Sequence, residues 1–222
     1  MQRLLMLLLV CLSTLLTPLA AQAWWQEDWS YRKQISVDTT AEGAALNDRI
    51  GRVPLLVRLH TGNFAFDGTQ EKGADLRFVA ADDKTVLNYQ IESFDPLLGV
   101  AYIWVDAPDV AGGQRQDIWM YYGNAKAPAT VNGQLTFDPD YTLVYHFDSA
   151  PGAAPRDTTA YANNAQTAPG GIVDGVLGHA AQFTGGEPMM IPASPSLAVP
   201  AAGSFTLSAW IRADQPSGEQ LI

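Results

Sequence analysis

Oxygen-bearing side chains are concentrated around one long loop in the second half of the chain. Asp148 precedes this loop, and Asp157, Asn163 and Asn164 lie within it. Calcium binds several oxygen ligands, which loops often supply as carboxylates and amide carbonyls. These four residues therefore predict a calcium site, and we expect no other cofactor. The alternative is structural: Asp148 and Asp157 cap turns, and the two asparagines adopt left-handed backbone conformations.

Tryptophan side chains indicate a second kind of site, one for sugars. Trp24, Trp25 and Trp29 cluster in a short segment, whereas Trp104 and Trp119 lie in apolar stretches. Sugar rings stack on exposed aromatic faces because their C–H groups meet the π-electrons of the ring. We therefore predict Trp24 and Trp25 as ligand-binding residues, although a frayed terminus accounts for them equally well. We expect Trp104 and Trp119 in the core.

The sequence carries no recognisable catalytic motif. His60, His146 and His179 are scattered, and no serine lies in a Gly-x-Ser-x-Gly turn. Neither His-Glu-x-x-His nor His-x-x-Glu-His occurs, so zinc hydrolase chemistry is not indicated. Glu92 and Asp95 are three residues apart, a spacing that places them on opposite faces of a strand. We predict that the chain is not an enzyme and has no catalytic residues.

Charge and cysteine content exclude further classes of function. The chain has 23 acidic and 13 basic residues, a net charge of −10. Such a surface repels phosphate backbones, so nucleic acid is excluded as a partner. The single cysteine, Cys11, lies within an apolar N-terminal run and not at a lipoprotein cleavage site. Without that run the chain has no disulfide, thiolate nucleophile or cysteine metal site.

Residues 1–23 have the organisation of a secretory signal peptide. Arg3 supplies the positive charge, Leu4 to Leu19 forms the apolar run, and Ala21-Gln22-Ala23 is the predicted cleavage site. An uncleaved signal anchor is the alternative interpretation. Cleavage after Ala23 leaves 12 basic and 23 acidic residues and a net charge of −11. We therefore expect the protein in the periplasm or cell envelope.

Short strands must position the candidate residues in the first half of the chain. The segments between residues 31 and 122 are rich in β-branched and aromatic residues, and turn signals separate them. The predicted strands are Tyr31–Asp38, Val53–His60, Leu76–Ala80, Val86–Glu92, Val100–Asp106 and Arg115–Tyr122. Because no segment has convincing helical periodicity, the fold class is predicted to be all-β. Residues 24–136 are assigned to one β-sandwich domain.

A polar, turn-rich segment after Tyr122 predicts a link to a second domain, residues 137–222. Ser149 to Gly171 is expected to be a long loop, with a disordered linker as the alternative. The predicted strands of this domain are Tyr141–Asp148, His179–Thr184, Met189–Ile191 and Ser204–Arg212. A jelly roll uses about eight strands, so we expect this domain to be truncated.

Five stretches of the second domain carry a resemblance to a known family. They are LVYHFD (143–148), DTTAYANN (157–164), VDGVLGHAAQF (173–183), IPASPSLAVP (191–200) and SFTLSAWIR (204–212). Together they resemble the first half of a concanavalin A-like, laminin-G-like domain. The resemblance implies a jelly-roll sandwich that binds a glycan or a protein, often with calcium. Related domains often have Phe-Asp-Gly where this chain has Phe183-Thr184-Gly185, so one calcium ligand of that pattern is missing.

The first domain carries a second resemblance. Its stretches are WW (24–25), DWSYRKQI (28–35), DLRFVA (75–80), YQIE (89–92), VAYIWV (100–105) and IWMYYGN (118–124). Residues 24–122 thereby resemble a bacterial domain of uncharacterised function that often precedes a laminin-G-like domain. The pair resembles the extracytoplasmic front of MotA/TolQ/ExbB proton channel family proteins. That resemblance implies transmembrane helices beyond Ile222.

Two functions are consistent with these patterns. The first is a non-catalytic exported binding or sensing module for a glycan or an envelope protein. Such a module would contact the membrane only through a domain beyond Ile222. The alternative is an accessory carbohydrate-binding region of a secreted glycan-active enzyme whose catalytic part lies beyond Ile222. Apolar runs of about 20 residues after Ile222 would favour the first function, and a paired-carboxylate motif the second.

Overall fold

A computed structural model describes residues 24–130, 133–137, 139–186 and 188–214. The predicted signal peptide, residues 1–23, therefore lies outside the described residues. Within the described ranges, no helix has both the length and the apolar character needed to cross a membrane.

Residues 31–122 form a sandwich of two antiparallel sheets, which confirms the all-β fold class. The strands are β1 (Tyr31–Asp38), β2 (Gly51–His60), β3 (Arg77–Ala80), β4 (Val86–Leu87), β5 (Tyr89–Asp95), β6 (Val100–Val110) and β7 (Arg115–Tyr122). The four-stranded sheet has the order β1-β7-β3-β4, and the three-stranded sheet has the order β2-β6-β5. Strands β1 and β7 have the bounds expected from the sequence.

The main core lies between the two sheets. Side chains that alternate along each strand supply it, because successive residues of a strand point to opposite faces. Leu76, Phe78, Ile103 and Met120 are completely buried there. The remaining core members are Val57, Leu59, Phe64, Phe66, Leu87, Tyr89, Ala101, Val105 and Ile118. Each large apolar side chain buried in this way contributes about 1.5–3 kcal/mol before entropy is counted.

The expectation that Trp104 and Trp119 belong to this core is wrong. In β7, Ile118 and Met120 point into the sandwich, so Trp119 lies on the outer face of the four-stranded sheet and is half-buried. In β6, Ile103 and Val105 likewise point inward and leave Trp104 half-buried on the outer face of the other sheet. Both alternating sets of these strands are apolar, so the pattern alone did not decide which set faces inward.

A second, smaller core covers the outer face of the four-stranded sheet. Trp29, Val79, Tyr121 and Ala127 are buried in it, and Trp25 and Trp119 pack against it half-buried. Residues 24–29, which we call the N-terminal segment, therefore cross this face as a packed layer. The indole ring centroid of Trp25 lies 5.1 Å from that of Trp29 and 5.6 Å from the ring of Tyr121.

Asp75 holds this layer in place from a completely buried position. Its carboxylate accepts hydrogen bonds from the amides of Gln70 (2.8 Å), Gly123 (2.6 Å) and Asn124 (3.1 Å). Its backbone carbonyl accepts the indole N–H of Trp29 at 2.8 Å. Gly123 has a φ of 88°, and a Cβ at this position would lie 2.6 Å from the ring of Tyr31. Glycine is therefore required where β7 ends.

The second region has less regular structure than the sequence predicts. It contains a one-turn helix (Gly133–Thr136), a hairpin of β8 (Gly171–Asp174) and β9 (His179–Gln182), and a 3-10 turn (Pro195–Leu197). The strands predicted at 141–148, 189–191 and 204–212 are absent from the described structure, apart from a single bridge between Tyr145 and Asp157. Residues 204–212 are exposed throughout. A strand needs a continuous ladder of backbone hydrogen bonds to a partner, and no described segment forms such a ladder with these three.

This region docks on the outer face of the three-stranded sheet. The ring of Phe137 lies 6.3 Å from Trp104, 5.7 Å from Tyr141 and 5.8 Å from His146, measured between centroids. Next to these rings, the side chains of Glu92 and His146 contact each other and are only 5% and 8% exposed. The contact joins β5 to a segment more than fifty residues later in the chain.

Candidate functional site

An open groove lies on the outer face of the four-stranded sheet, and we call it the tryptophan groove. Its volume is about 570 Å³. The N-terminal segment, β1, the turn between β3 and β4, and β7 each supply part of its wall. The lining residues are Trp24, Trp25, Gln34, Ala81, Asp82, Asp83, Lys84, Asp117 and Trp119. The predicted binding residues Trp24 and Trp25 therefore meet side chains of the β3–β4 turn and of β7, which are 56 to 95 residues away in sequence.

The indoles of the groove are held in place and still reachable from solvent. Trp24 is 38% exposed, and Trp25 and Trp119 are half-buried. The indole N–H of Trp24 donates to the carbonyl oxygen of Trp29 at 2.7 Å, and its ring meets Tyr121 edge-on at 5.6 Å. The amide of Trp25 donates to the Tyr121 hydroxyl at 3.1 Å. These contacts orient the N-terminal segment on the sheet.

Arg32 lies between two of the indoles. Its guanidinium carbon is 4.9 Å from the ring centroid of Trp24 and 4.3 Å from that of Trp119. The same group pairs with a carboxylate oxygen of Asp83 at 2.6 Å, and both side chains are largely buried. Cation–π contacts contribute about 0.5–2 kcal/mol, more where the cation is desolvated. Arg32 therefore ties Trp24 to β7.

The turn between β3 and β4 places two carboxylates at the rim of the groove. Asp83 adopts a left-handed φ of 54°, which aspartate tolerates better than most residues. Asp82 accepts hydrogen bonds from the amides of Lys84 and Thr85 and from the Thr85 hydroxyl. The Thr85 amide bond is the largest of these effects and lowers the pKa of Asp82 below its usual range.

Asp83 also accepts the hydroxyl of Tyr121 at 2.5 Å. Burial raises the pKa of Tyr121, and the hydrogen bond to Asp83 raises it further, because this bond stabilises the protonated phenol. Tyr121 is thus a neutral donor at ordinary pH. It connects the carboxylate of the turn to the layer formed by the N-terminal segment.

Asp117 and Gln34 form the polar side of the groove on β7 and β1. The Gln34 side-chain amide donates to one carboxylate oxygen of Asp117 at 2.7 Å. The Ser36 hydroxyl donates to the other oxygen at 2.6 Å. A carboxylate offers about four acceptor positions, so Asp117 can still accept donors from a ligand. The groove thus combines aromatic faces for stacking with carboxylates that accept hydrogen bonds.

The residues of the predicted calcium site lie far from this groove in sequence, around the 149–171 loop. Asp157 is buried and accepts hydrogen bonds from the amides of Val144 (2.9 Å), Thr159 (3.0 Å) and Asn163 (2.8 Å) and from the Thr159 hydroxyl (2.7 Å). The Asn164 side-chain carbonyl accepts the amide of Asp157 at 2.9 Å. These bonds show that Asp157 organises the loop.

Asn163 serves the same loop through its side-chain amide. That group donates to the carbonyl of Thr142 at 2.7 Å and to the hydroxyl of Ser196 at 2.9 Å. Asp148 is exposed and shares no hydrogen bond with the other three predicted ligands. Over the part of the chain that the structure describes, no group of three or more His, Cys, Asp or Glu residues is arranged to hold a metal. The calcium site stays a prediction.

A buried polar pair that the sequence did not single out joins the second region to the sandwich. The Nδ1 atom of His146 contacts Oε2 of Glu92, which also accepts the indole N–H of Trp104 at 3.0 Å. Gly178 packs closely against the same carboxylate: a Cβ there would lie 2.8 Å from Oε1 of Glu92. These contacts close the pair off from solvent, so its evident role is to fasten the two parts together.

Sequence reasoning missed Asp83, Asp117 and Trp119 as groove residues, and it missed Arg32, which lies behind the indoles. Arg32 pairs with Tyr121 across β1 and β7, and Gln34 pairs with Trp119 two positions later. One face of the sheet therefore carries these side chains side by side. Their alternation along β1 and β7 is visible in the sequence, but the pairing of two strands eighty residues apart is not.

Residues 72–164 match a family described as Domain of unknown function (DUF2341). No curated protein and no solved structure matches the chain. The matched segment runs from the turn before β3 to the Asp157 loop, and it includes the rim residues Asp82 and Asp83 and the β7 residues Asp117 and Trp119. The chain thus contains a segment similar to this uncharacterised family, and no comparison links it to MotA/TolQ/ExbB proteins.

Proposed function

We propose that the chain is a non-catalytic exported binding module and that its tryptophan groove holds a glycan. One observation carries the proposal: Trp24, Trp25 and Trp119 come together around an open groove of about 570 Å³ that is also lined by carboxylates. Glycan sites need a flat apolar surface and a few polar groups that fix orientation. The groove offers both.

The physical basis is the two-sided chemistry of a sugar ring. Its C–H face stacks on an indole, and its hydroxyl groups donate to acceptors at the edge of the groove. Asp82 on the β3–β4 turn and Asp117 on β7 present such acceptors. Because Arg32 and the Trp29 carbonyl hold Trp24, little side-chain entropy is lost when a ligand binds.

The test is a binding measurement with Trp24→Ala and Trp119→Ala. Neutral, amino and acidic oligosaccharides are titrated into the exported protein by calorimetry, with tryptophan fluorescence as a second readout. Loss of one stacking surface should weaken binding about tenfold, which corresponds to roughly 1.4 kcal/mol. Trp210→Ala is the matched control, since Trp210 is 82% exposed and does not line the groove. Equal affinity of wild type and both groove variants would contradict the proposal.

Two wider assignments extend this proposal beyond the groove. In the first, the module is the extracytoplasmic part of a MotA/TolQ/ExbB-type proton channel protein that is anchored to the inner membrane, and its ligand is a glycan or an envelope protein. Alternatively it is the accessory carbohydrate-binding region of a secreted glycan-active enzyme. Only the anchored form predicts that the native protein fractionates with the inner membrane, so fractionation of the native host cells separates them.

A further inference from the structure

We propose that the ligand of the tryptophan groove is an amino sugar, a saccharide that carries a protonated amine. This inference rests on the proposed glycan function and specifies the chemical class of the glycan. It follows from the charge of the groove wall, from the kinds of hydrogen-bonding groups in it, and from a cation that the protein already holds between two of its indoles.

The charge of the wall is negative. Among the described residues, the side chains of Asp82, Asp83 and Asp117 line the groove, and Lys84 is the single basic side chain that does so. Arg32, which lies behind the indoles, is paired with Asp83 at 2.6 Å and balances that carboxylate. Two carboxylates then face one ammonium. At the edge of a groove, a nearby carboxylate attracts a cationic ligand and repels an anionic one.

The hydrogen-bonding groups of the wall also favour a protonated amine as ligand. Asp117 accepts one hydrogen bond at each oxygen, and each oxygen can accept a further one. A protonated amine has three hydrogen-bond donors and no acceptor, so it can donate to the free acceptor positions of Asp117. An N-acetyl group replaces the charged amine with an amide that has a single donor. A uronic acid brings a carboxylate that Asp82 and Asp117 repel, and the one ammonium of Lys84 does not balance both of them.

Arg32 shows that the same surroundings hold a cation. Its guanidinium is sandwiched between Trp24 and Trp119 at 4.9 and 4.3 Å and is paired with Asp83. Indole faces with an adjacent carboxylate are the combination that recognises ammonium groups. The protein thus already holds one of its own cations, the guanidinium of Arg32, between indoles and a carboxylate. Trp25, Asp82 and Asp117, which also line the groove, supply the same kinds of group.

The experiment compares four tetramers of similar length on the exported protein. They are a glucosamine oligosaccharide, its fully N-acetylated form, a galacturonate oligosaccharide and tetralysine. We expect the glucosamine tetramer to bind about fivefold more tightly than its N-acetylated form, the galacturonate tetramer to bind most weakly of the saccharides, and tetralysine to bind more weakly than glucosamine. The preference for the amine should decrease as salt is added, because screening weakens the attraction.

Two variants make the test specific. Asp117→Asn should reduce the preference for the amine to near one, whereas Asp109→Asn should leave it unchanged, because Asp109 pairs with Arg49 on the surface and does not line the groove. Lys84→Ala removes the basic lining residue and should strengthen binding of the glucosamine tetramer. A misfolded variant could not show this gain.

The outcomes distinguish the inference from the function on which it rests. Equal affinity for the glucosamine and N-acetylated tetramers, with both weakened by Trp24→Ala, would overturn the inference and leave the glycan function standing. Tetralysine binding as tightly as glucosamine would overturn it in favour of a cationic peptide. Absence of binding by every saccharide would instead overturn the proposed function itself.

Discussion

Removal of the Glu92 carboxylate tests how the second region is fastened to the sandwich. Glu92 and His146 are 5% and 8% exposed, and Glu92 also accepts the indole N–H of Trp104 at 3.0 Å. Glu92→Ala leaves the His146 ring and the Trp104 N–H without their acceptor in a buried place. A buried donor left without an acceptor costs about 1–3 kcal/mol, so for these two donors we expect a loss of about 2–6 kcal/mol in the free energy of unfolding.

The assay is urea denaturation followed by tryptophan fluorescence, with the free energy extrapolated to water. Glu92→Gln should lose less than Glu92→Ala, because its amide oxygen still accepts from Trp104. Asp109→Ala is the control: it breaks an exposed pair with Arg49, for which about 0–1 kcal/mol is expected.

A double-mutant cycle with His146→Ala then isolates the pair itself. The combined variant should lose less than the sum of the two single variants, because each single change already removes the same contact. A loss below about 1 kcal/mol for Glu92→Ala, in the range of an exposed pair, would refute the reasoning. Strictly additive effects of Glu92→Ala and His146→Ala would refute it as well.

Three further predictions concern other residues of the chain. Asp75→Asn should lower the free energy of unfolding by about 2–3 kcal/mol in the same urea assay, because an amide oxygen replaces a charged acceptor of backbone N–H groups; an unchanged midpoint would contradict this. Burial raises the pKa of Tyr145 to about 12, and the nearby charge of Asp157 adds to the effect. Carbon-13 NMR of labelled tyrosine should therefore show one ring titrating near pH 12 that Tyr145→Phe removes. Because the pKa of Tyr145 is raised in the folded state, its protonated hydroxyl favours the folded protein. This contribution to the free energy of unfolding is complete below pH 10 and is lost as the pH rises towards 12. If calcium binds at Asp148, Asp157, Asn163 and Asn164, calcium should raise the melting temperature relative to chelator, and an identical melt with and without chelator would contradict the site.

Much of the sandwich could be predicted because strand periodicity is a local property. Tyr31–Asp38 and Arg115–Tyr122 were found at their predicted bounds, since each alternates and ends at a turn signal. The strand predicted at 204–212 has the same kind of alternation but did not form. Alternation indicates that a segment suits a sheet, whereas the ladder itself requires a neighbouring strand.

The candidate site was predictable only in part, for a related reason. Trp24 and Trp25 stood out because tryptophan pairs outside a strand are conspicuous. Arg32 and Trp119 did not, because their roles depend on β1 pairing with β7. The apolar character of β6 and β7 also concealed which face would be covered, and so Trp104 and Trp119 were wrongly expected in the core.

The sequence by itself determined the all-β class, the strands that alternate between turn residues, and the acidic charge of the chain. Composition and periodicity depend only on neighbouring residues, so they can be read without knowing the fold. Tertiary structure alone decided the tryptophan groove, the burial of Glu92 against His146, and the loop around Asp157. Each of these joins residues far apart in the chain. Their contacts exist only once the strands have paired, because pairing fixes which side chains share a face.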